Sequence, residues 1–324
     1  MKRALTNIVA VAALGMAQSV GAADQEPVRS LPPECDRACL YGIVDQYLDA
    51  LVRKDPARAP WARKHRYSEN NVEMEPGDGM WGTVTGLGSY KLKAADTRTG
   101  QVGFYGVLEE PNSRSGFALR LKVEDRKISE AESVVVRIAD FPPLTGGANP
   151  FASAKFEDKP LLQQNLAPGE GRLRERLISI ANGYFDTLQL NDGALFTQFD
   201  PKCDRIENGI RTTNNPEKPL GELSALGCEE QFRLGAYRYD DQLRARRFPL
   251  VDEERGLVLG LAFIDHSGRL GRFTLTDGRT LESPIRRPHS FCLMELFKIV
   301  DGRIRQIEAV FITVPYKMPS PWVD

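Results

Sequence analysis

Two stretches of the chain carry the same helical pattern. Ile43, Tyr47, Leu48 and Leu51 recur at i, i+4, i+5, i+8, and Ile180, Tyr184, Phe185 and Leu188 do likewise, so each stretch predicts an amphipathic helix. A strand pattern follows each helix. Phe117, Leu119, Leu121 and Val123 alternate with Ala118, Arg120 and Lys122, a turn falls at Glu124-Asp-Arg126, and Ile128 to Val136 reads as the returning strand. Phe291 to Phe297 and the residues beyond Val300-Asp-Gly-Arg303 repeat that hairpin. A helix followed by antiparallel hairpins predicts an α+β unit, written twice.

The repetition extends to the residues themselves. Residues 43–55 match 180–192. Ser68-Glu-Asn-Asn-Val72 matches Ile206-Glu-Asn-Gly-Ile210, Asp96 to Val102 matches Asp252 to Val258, and Lys122 to Glu132 matches Lys298 to Glu308. The order is kept and the spacing only grows, which places two insertions in the second copy, after Asn208 and after His266. The expected organisation is a first domain at 35–138, a linker at 139–172 rich in Pro and Gly, and a second domain at 173–324.

Composition narrows the class. The chain has 324 residues, 41% hydrophobic and 27% charged, with 43 basic against 44 acidic side chains. That mix excludes a disordered chain, and the charge balance excludes nucleic acid as a partner held through phosphates. Lys2 and Arg3, the apolar run Ile8 to Met16 and the small residues up to Ala22 read as a signal peptide over 1–22. Export to the periplasm or beyond the cell follows, with no membrane span in the mature chain.

In an oxidising compartment the five cysteines read as disulfides before metal ligands. Cys203 and Cys228 flank an irregular stretch and are expected to pair. Cys35 and Cys39 are left open between pairing and capping, and Cys292 sits in an apolar strand as a buried thiol. The three histidines show no metal spacing with cysteine or with each other. No phosphate loop, nucleophile elbow or His-Glu-x-x-His motif occurs, so neither metal nor cofactor is expected. His65, within Ala-Arg-Lys-His-Arg, reads as part of a solvated helix face.

The steps Tyr47 to Asp55 and Tyr184 to Asp192, each followed by Glu-Asn and then long antiparallel strands, resemble the nuclear-transport-factor-2-like (NTF2-like) cone, the superfamily of ketosteroid isomerase and SnoaL-type cyclases. The phrases Tyr67-Ser-Glu-Asn70, Gly79-Met-Trp-Gly82, Asp252-Glu-Glu-Arg-Gly256 and Val314 to Trp322 resemble secreted proteins with two such cones in tandem. The resemblance implies two cones forming a pseudo-dimer within one chain, as a monomer or weak dimer, each cone enclosing a blind pocket. It also implies that Tyr47 and Tyr184 take the place of the oxyanion tyrosine. The proton-moving Asp of the isomerases falls near Asn70 and Asn208, whose amides accept no proton, and the oxyanion Asp falls near Ala118 and Met294.

Glu295 shares a strand face with Leu293 and Phe297, and its counterpart in the first copy is Leu119. A carboxyl among apolar side chains is a candidate acid or base, and pairing with Arg244, Arg246 or Arg247 is the competing reading. Asp265-His266 is a candidate acid–base couple, with a plain turn as the alternative. His289 precedes an inward strand and, with Tyr47, Asn70 and Asn208, is counted as a candidate substrate-binding residue. Tyr237, Tyr239 and Arg246 lie in a Tyr/Arg cluster suited to an aromatic or carboxylated ligand. Two functions are expected to compete. One is a cofactor-independent lyase or isomerase acting on a small apolar or aromatic molecule through Glu295, His266, Asp265 and Tyr184. The other is a non-catalytic module that binds a small molecule or a partner.

Overall fold

The computed structural model describes residues 35–111, 113–137, 154–219 and 221–323. The expected signal peptide lies outside the described residues, as does the first part of the expected linker. The first half runs α1 (Arg37–Val52), β1 (Trp61–Glu69), β2 (Val72–Glu73), α2 (Met80–Thr83), β3 (Gly86–Asp96), β4 (Gln101–Glu110), β5 (Ser113–Glu124) and β6 (Lys127–Arg137). After α3 (Pro160–Gln163) the second half runs α4 (Arg174–Leu190), β7 (Phe199–Glu207), β8 (Ile210–Arg211), α5 (Cys228–Arg233), β9 (Gln242–Asp252) and β10 (Leu257–His266). It closes with β11 (Arg272–Thr274), β12 (Thr280–Glu282), β13 (His289–Val300) and β14 (Arg303–Val314).

The chain is α+β, with two six-stranded sheets ordered β2-β1-β6-β5-β4-β3 and β8-β7-β14-β13-β10-β9. The strand order is the same in both halves and compatible with two NTF2-like domains. Neither sheet is purely antiparallel, because β1 runs parallel to β6 and β7 parallel to β14. Three long strands separate the members of each pair in sequence, and a connection of that length permits parallel pairing where a tight hairpin does not. The tight turns fall where the polar gaps placed them: Asp125 and Arg126 take φ of 50° and 58°, Asp301 and Gly302 49° and 77°, the sense a two-residue hairpin requires. His65 lies on β1, not on a helix, with its ring 4.9 Å from Trp61. Arg63, Lys64 and Arg66 around it are exposed positions of that strand.

α1 buries Leu40, Ile43, Val44, Tyr47, Leu48 and Leu51. α4 buries Leu177, Ile180, Tyr184, Phe185 and Leu188. The first half holds its own core around Tyr47, Trp81, Phe104 and Phe117. Tyr90, Leu92, Tyr105 and Val134, on the other face of the first sheet, join one continuous core with Leu250, Leu259, Leu296 and Val310 of the second. The backs of the two sheets therefore cover each other, the solution for a sheet apolar on both faces. In the described part of the expected linker Leu162 is fully buried and Phe156 fills the space above Gly116, so this segment is packed chain, not a free tether.

A reciprocal clamp joins the halves. Asp96 at the end of β3 accepts from the backbone of Val251 at 3.0 Å and ion-pairs with Arg174, the first residue of α4, at 2.6 Å. Asp252 at the end of β9 accepts from the backbone of Ala95 at 3.2 Å and ion-pairs with Arg37, the first residue of α1, at 2.5 Å. Each residue of one set matches a residue of the other in the repeat, so the junction is isologous, as in a two-fold dimer. The C-terminal residues add a second tie. The Trp322 ring lies under the guanidinium groups of Arg66 (4.4 Å) and Arg120 (5.0 Å), and its Nε1 donates to Ser68 Oγ at 2.9 Å. Trp322→Ala is expected to lower the unfolding free energy by about 2 kcal/mol through lost ring burial and cation–π contact. A lower urea midpoint with an unchanged slope would show it.

Candidate functional site

Alternation along two strands of the second half builds a polar wall. On β7 it sets Cys203, Arg205 and Glu207 on one face, and on β13 it sets Leu293 and Glu295 on one face. The expected Cys203–Cys228 disulfide is present, with Cα atoms 5.7 Å apart, and it pins α5 to β7. Cys35 and Cys39 also pair, and Cys292 is a free, buried thiol. A cavity of about 110 Å³ lies against this wall. Tyr184 of α4 faces into it, and the segment between α5 and β9 contributes Tyr237, Tyr239 and Asp240. The second insertion closes another side with Pro284 and Ile285, and Phe291 and Phe311 complete the apolar lining.

The ladder register shows how the halves differ at this place. Glu295 pairs with Gly260 and Ala309, whereas Leu119 pairs with Phe104 and Ser133. A Cβ on Gly260 would stand 3.1 Å from both Phe185 and Phe297, so glycine is what lets those rings close over the sheet beside the carboxyl group. Tyr184 packs edge-on against Phe297 at 5.1 Å and Phe232 at 5.4 Å. In the first half the matching Tyr47 is walled in by Trp61 (5.8 Å) and Trp81 (5.3 Å).

Glu295 is 3% exposed and makes no ion pair among the described residues. Burial pushes its carboxyl up to about 8, Glu207 adds to the rise, and Arg205 with the Tyr184 hydroxyl opposes it. Glu295 is therefore mostly protonated at neutral pH. Arg205 is fully buried: Nε donates to Thr212 Oγ1 at 3.2 Å, one amino nitrogen donates to Gln231 Oε1 at 2.8 Å and to the Tyr237 hydroxyl, and the Glu207 carboxylate stands 3.5 Å away. Burial raises the Asp240 carboxyl, and His266, whose Nε2 lies 2.9 Å from Asp240 Oδ1, opposes that rise.

Of the residues singled out in the sequence, Glu295, Tyr184, Tyr237 and Tyr239 meet in the cavity. His266 stands one layer behind, reaching it through Asp240, and His289 stacks on His266 at 4.7 Å with its own Nδ1 on the Arg287 carbonyl. Asp265 points to the other face of β10, where it holds Arg244 at 2.9 Å, Lys317 at 3.2 Å and the Ser290 hydroxyl at 2.5 Å. Burial alone would raise Asp265, but these partners hold it below the usual carboxylate range. Neighbouring strand residues face opposite ways, so Asp265 and His266 form no couple. Arg246 reaches Asp186 of α4 at 2.5 Å, and Arg247 reaches Glu132 of the first sheet at 2.6 Å. None of the arginines weighed as partners for Glu295 meets it.

Asn208 and Asn70 do not line the cavity. Both take left-handed backbone (φ 46° and 52°), which asparagine tolerates. Asn208 accepts from the backbone of Phe311 at 2.9 Å and donates to its carbonyl at 3.0 Å, and Asn70 does the same to Val135 at 2.8 and 3.2 Å. They fasten the end of β7 to β14 and of β1 to β6. Tyr47 is confined to the core of the first half. Two cavity residues escaped the sequence reading. The alternation of Cys203, Arg205 and Glu207 would have signalled Arg205. Asp240 stands just before β9, where the matching residue of the first half is the apolar Val84, and only the tertiary fold brings it to the wall that carries Glu295.

A family model described as a domain of unknown function (DUF8021) matches residues 171–311. No curated protein matches the chain. Among solved structures, one similar chain is a protein of unknown function with a cystatin-like fold from Methylobium petroleophilum, 15% identical, covering 35% of this chain and 84% of that one, with a TM-score of 0.28. Another is AclR, a hydroxylase by its description, from Streptomyces galilaeus, at 14% identity, 31% and 81% coverage and a TM-score of 0.26. A ketosteroid isomerase by its description, from Kribbella flavida, gives 18%, 34% and 86%, and 0.25.

Proposed function

We propose that the chain is an exported tandem of NTF2-like shells, 35–138 and 173–324 joined by 139–172, whose second shell performs cofactor-independent lyase or isomerase chemistry on a small apolar or aromatic molecule. Two disulfides favour an oxidising, exported environment. The observation that carries the reading is Glu295: a buried carboxyl, protonated near neutral pH, on the wall of an apolar-lined cavity.

In that setting Glu295 donates a proton, or a hydrogen bond, to an oxygen that gains charge. The Tyr184 hydroxyl is the second donor available to that oxygen. Asp240, oriented by His266, is the carboxylate across the cavity suited to take a proton from the ligand. Arg205 orients Tyr237 and Glu207 and does not itself react. About 110 Å³ sets the scale: a dry cavity of about 150 Å³ accommodates benzene, so the reacting end of the molecule is no larger than a small ring.

The competing reading is a binding module without turnover, favoured by the structural duty of Asn70 and Asn208 where isomerases place their base. The test is a screen of small ketones, lactones and hydroxylated aromatics with the oxidised chain, followed by Glu295→Gln on whichever compound is converted. Turnover is expected to fall at least about 10²-fold in a protein with an unchanged circular dichroism spectrum. Unchanged turnover in the variant would overturn the role given to Glu295, and saturable binding without conversion would favour the module.

A further inference from the structure

The charge balance of the cavity points to the kind of molecule it holds. Three carboxyl groups, Glu207, Asp240 and Glu295, line it against a single guanidinium, Arg205. Arg205 is largely engaged within the wall: its Nε and one amino nitrogen serve Thr212, Gln231 and Tyr237, the Glu207 carboxylate stands 3.5 Å away, and its plane stacks over the Phe232 and Tyr237 rings at 5.5 and 4.8 Å. A carboxylate ligand would add a further acid to this water-poor space and oppose ionisation of the three already there. A cation would favour their ionised forms.

The rest of the lining selects the type of cation. Tyr184, Tyr237, Tyr239, Phe291 and Phe311 present aromatic surface, the surface that attracts ammonium groups bearing methyls and disfavours a strongly hydrated ion. No group of three or more His, Cys, Asp or Glu among the described residues converges closely enough to chelate a metal ion. Of the three carboxyls, Glu295 is the one withdrawn from solvent on the cavity wall beside the Tyr184 hydroxyl, with no ion-pair partner among the described residues. The volume of about 110 Å³ suits a ligand of roughly five to seven heavy atoms.

Resting on the reading of this cavity as the ligand site, we propose that it binds a small alkylated ammonium ion, with the methyl groups against the aromatic walls and the positive charge between Glu295 and Asp240. The cation replaces the counter-charge that Glu295 lacks. It also couples binding to protons. Glu295 faces Tyr184 from α4, Arg205 and Glu207 from β7, and across the cavity Tyr237, Tyr239 and Asp240 with His266 behind it, while Gly260 and Ala309 beside it carry no charge. Its carboxyl titrates near 8 in the empty cavity, and a bound cation favours the ionised form, so binding expels a proton at neutral pH and tightens as pH rises.

Isothermal titration of the full chain with choline chloride, and with the uncharged isostere in which carbon replaces the ammonium nitrogen, tests this. At about pH 8.5 choline is expected to bind at least about tenfold more tightly than the isostere. Its dissociation constant is expected to rise about tenfold on going to about pH 6.5, with proton release visible in buffers of different ionisation enthalpy. Glu295→Gln, checked for folding by circular dichroism, is expected to flatten that pH dependence and weaken choline at the higher pH. An isostere that binds as well as choline, or choline binding indifferent to pH, would overturn the cationic ligand and leave the cavity as a site for neutral molecules. No binding of either compound would overturn the ligand-site reading together with the proposal.

Discussion

Glu295→Gln is expected to make the protein more stable at about pH 8, by on the order of 3 to 5 kcal/mol, while abolishing the chemistry of the cavity. The sign follows from the two states. Unfolded, the carboxyl titrates near its ordinary value; folded, burial holds it near 8. Below both values each state is protonated and pH has no effect through this group. As pH rises between them the unfolded chain releases a proton that the folded chain retains, so the wild type loses stability steadily up to about 8. The amide side chain of the variant cannot ionise in either state and escapes that slope.

Glu308 contributes similarly. It is fully buried, and burial pushes it up to about 7, with Lys159 and the Tyr90 hydroxyl opposing the rise. The single variant should therefore keep a shallower decline that ends near pH 7, and Glu295→Gln with Glu308→Gln should lose most of it. Lys298 acts in the opposite sense above pH 8, because burial lowers its ammonium to about 8 and the unfolded chain then binds the extra proton. Urea unfolding at intervals from about pH 5 to about pH 9 resolves these slopes. A Glu295→Gln curve parallel to the wild type throughout would show that the carboxyl is not held protonated.

Asp252→Ala and Asp96→Ala are each expected to cost about 3 kcal/mol. Removing one partner of a buried ion pair costs about 3–5 kcal/mol, and the discount reflects the partial exposure of Arg37 (24%) and Arg174 (14%). Each change also strands a backbone N–H, of Ala95 or of Val251. Asn at either position keeps an acceptor for that N–H and loses only the charge, so it should cost less than Ala. The two carboxylates approach the same β3–β9 junction, so the double variant should depart from additivity. Equal and negligible shifts in denaturation midpoint for all four single variants would mean that the clamp does not hold the halves together.

The paired helices and closing hairpins were legible because their signals are local: spacing of apolar residues within each helix, and Asp-Arg or Asp-Gly at turns that need positive φ. Parallel pairing of β1 with β6 and of β7 with β14 was not legible, because two strands separated by most of a domain leave no mark of direction in either segment. The same limit governs the cavity. Glu295 declared itself as an acid among apolar neighbours on one strand, and Tyr184 by its place in the repeated helix. Asp265 carried the same letter chemistry as a site residue, yet strand alternation turns it toward Arg244. Arg205 looked like any strand arginine until Gln231 of α5 and Tyr237 beyond it folded over it, and Asp240 acquired its meaning only from His266 and the cavity wall, which no local pattern brings to it. The amides of Asn70 and Asn208, counted from the sequence among the candidate binding residues, fasten Val135 and Phe311 instead, contacts between strands far apart in the chain.

The reciprocal clamp has a further meaning for how such a molecule can change. In an assembly of two identical chains, any substitution appears on both sides of the axis, so a hollow cannot be carved in one partner without weakening the other. Here Asp96 and Arg174 mirror Asp252 and Arg37 within a single polypeptide, and each side can be edited alone. The half built around Phe104 and Leu119 keeps an apolar residue at the position where the half built around Gly260 and Glu295 carries an ionisable group in its interior.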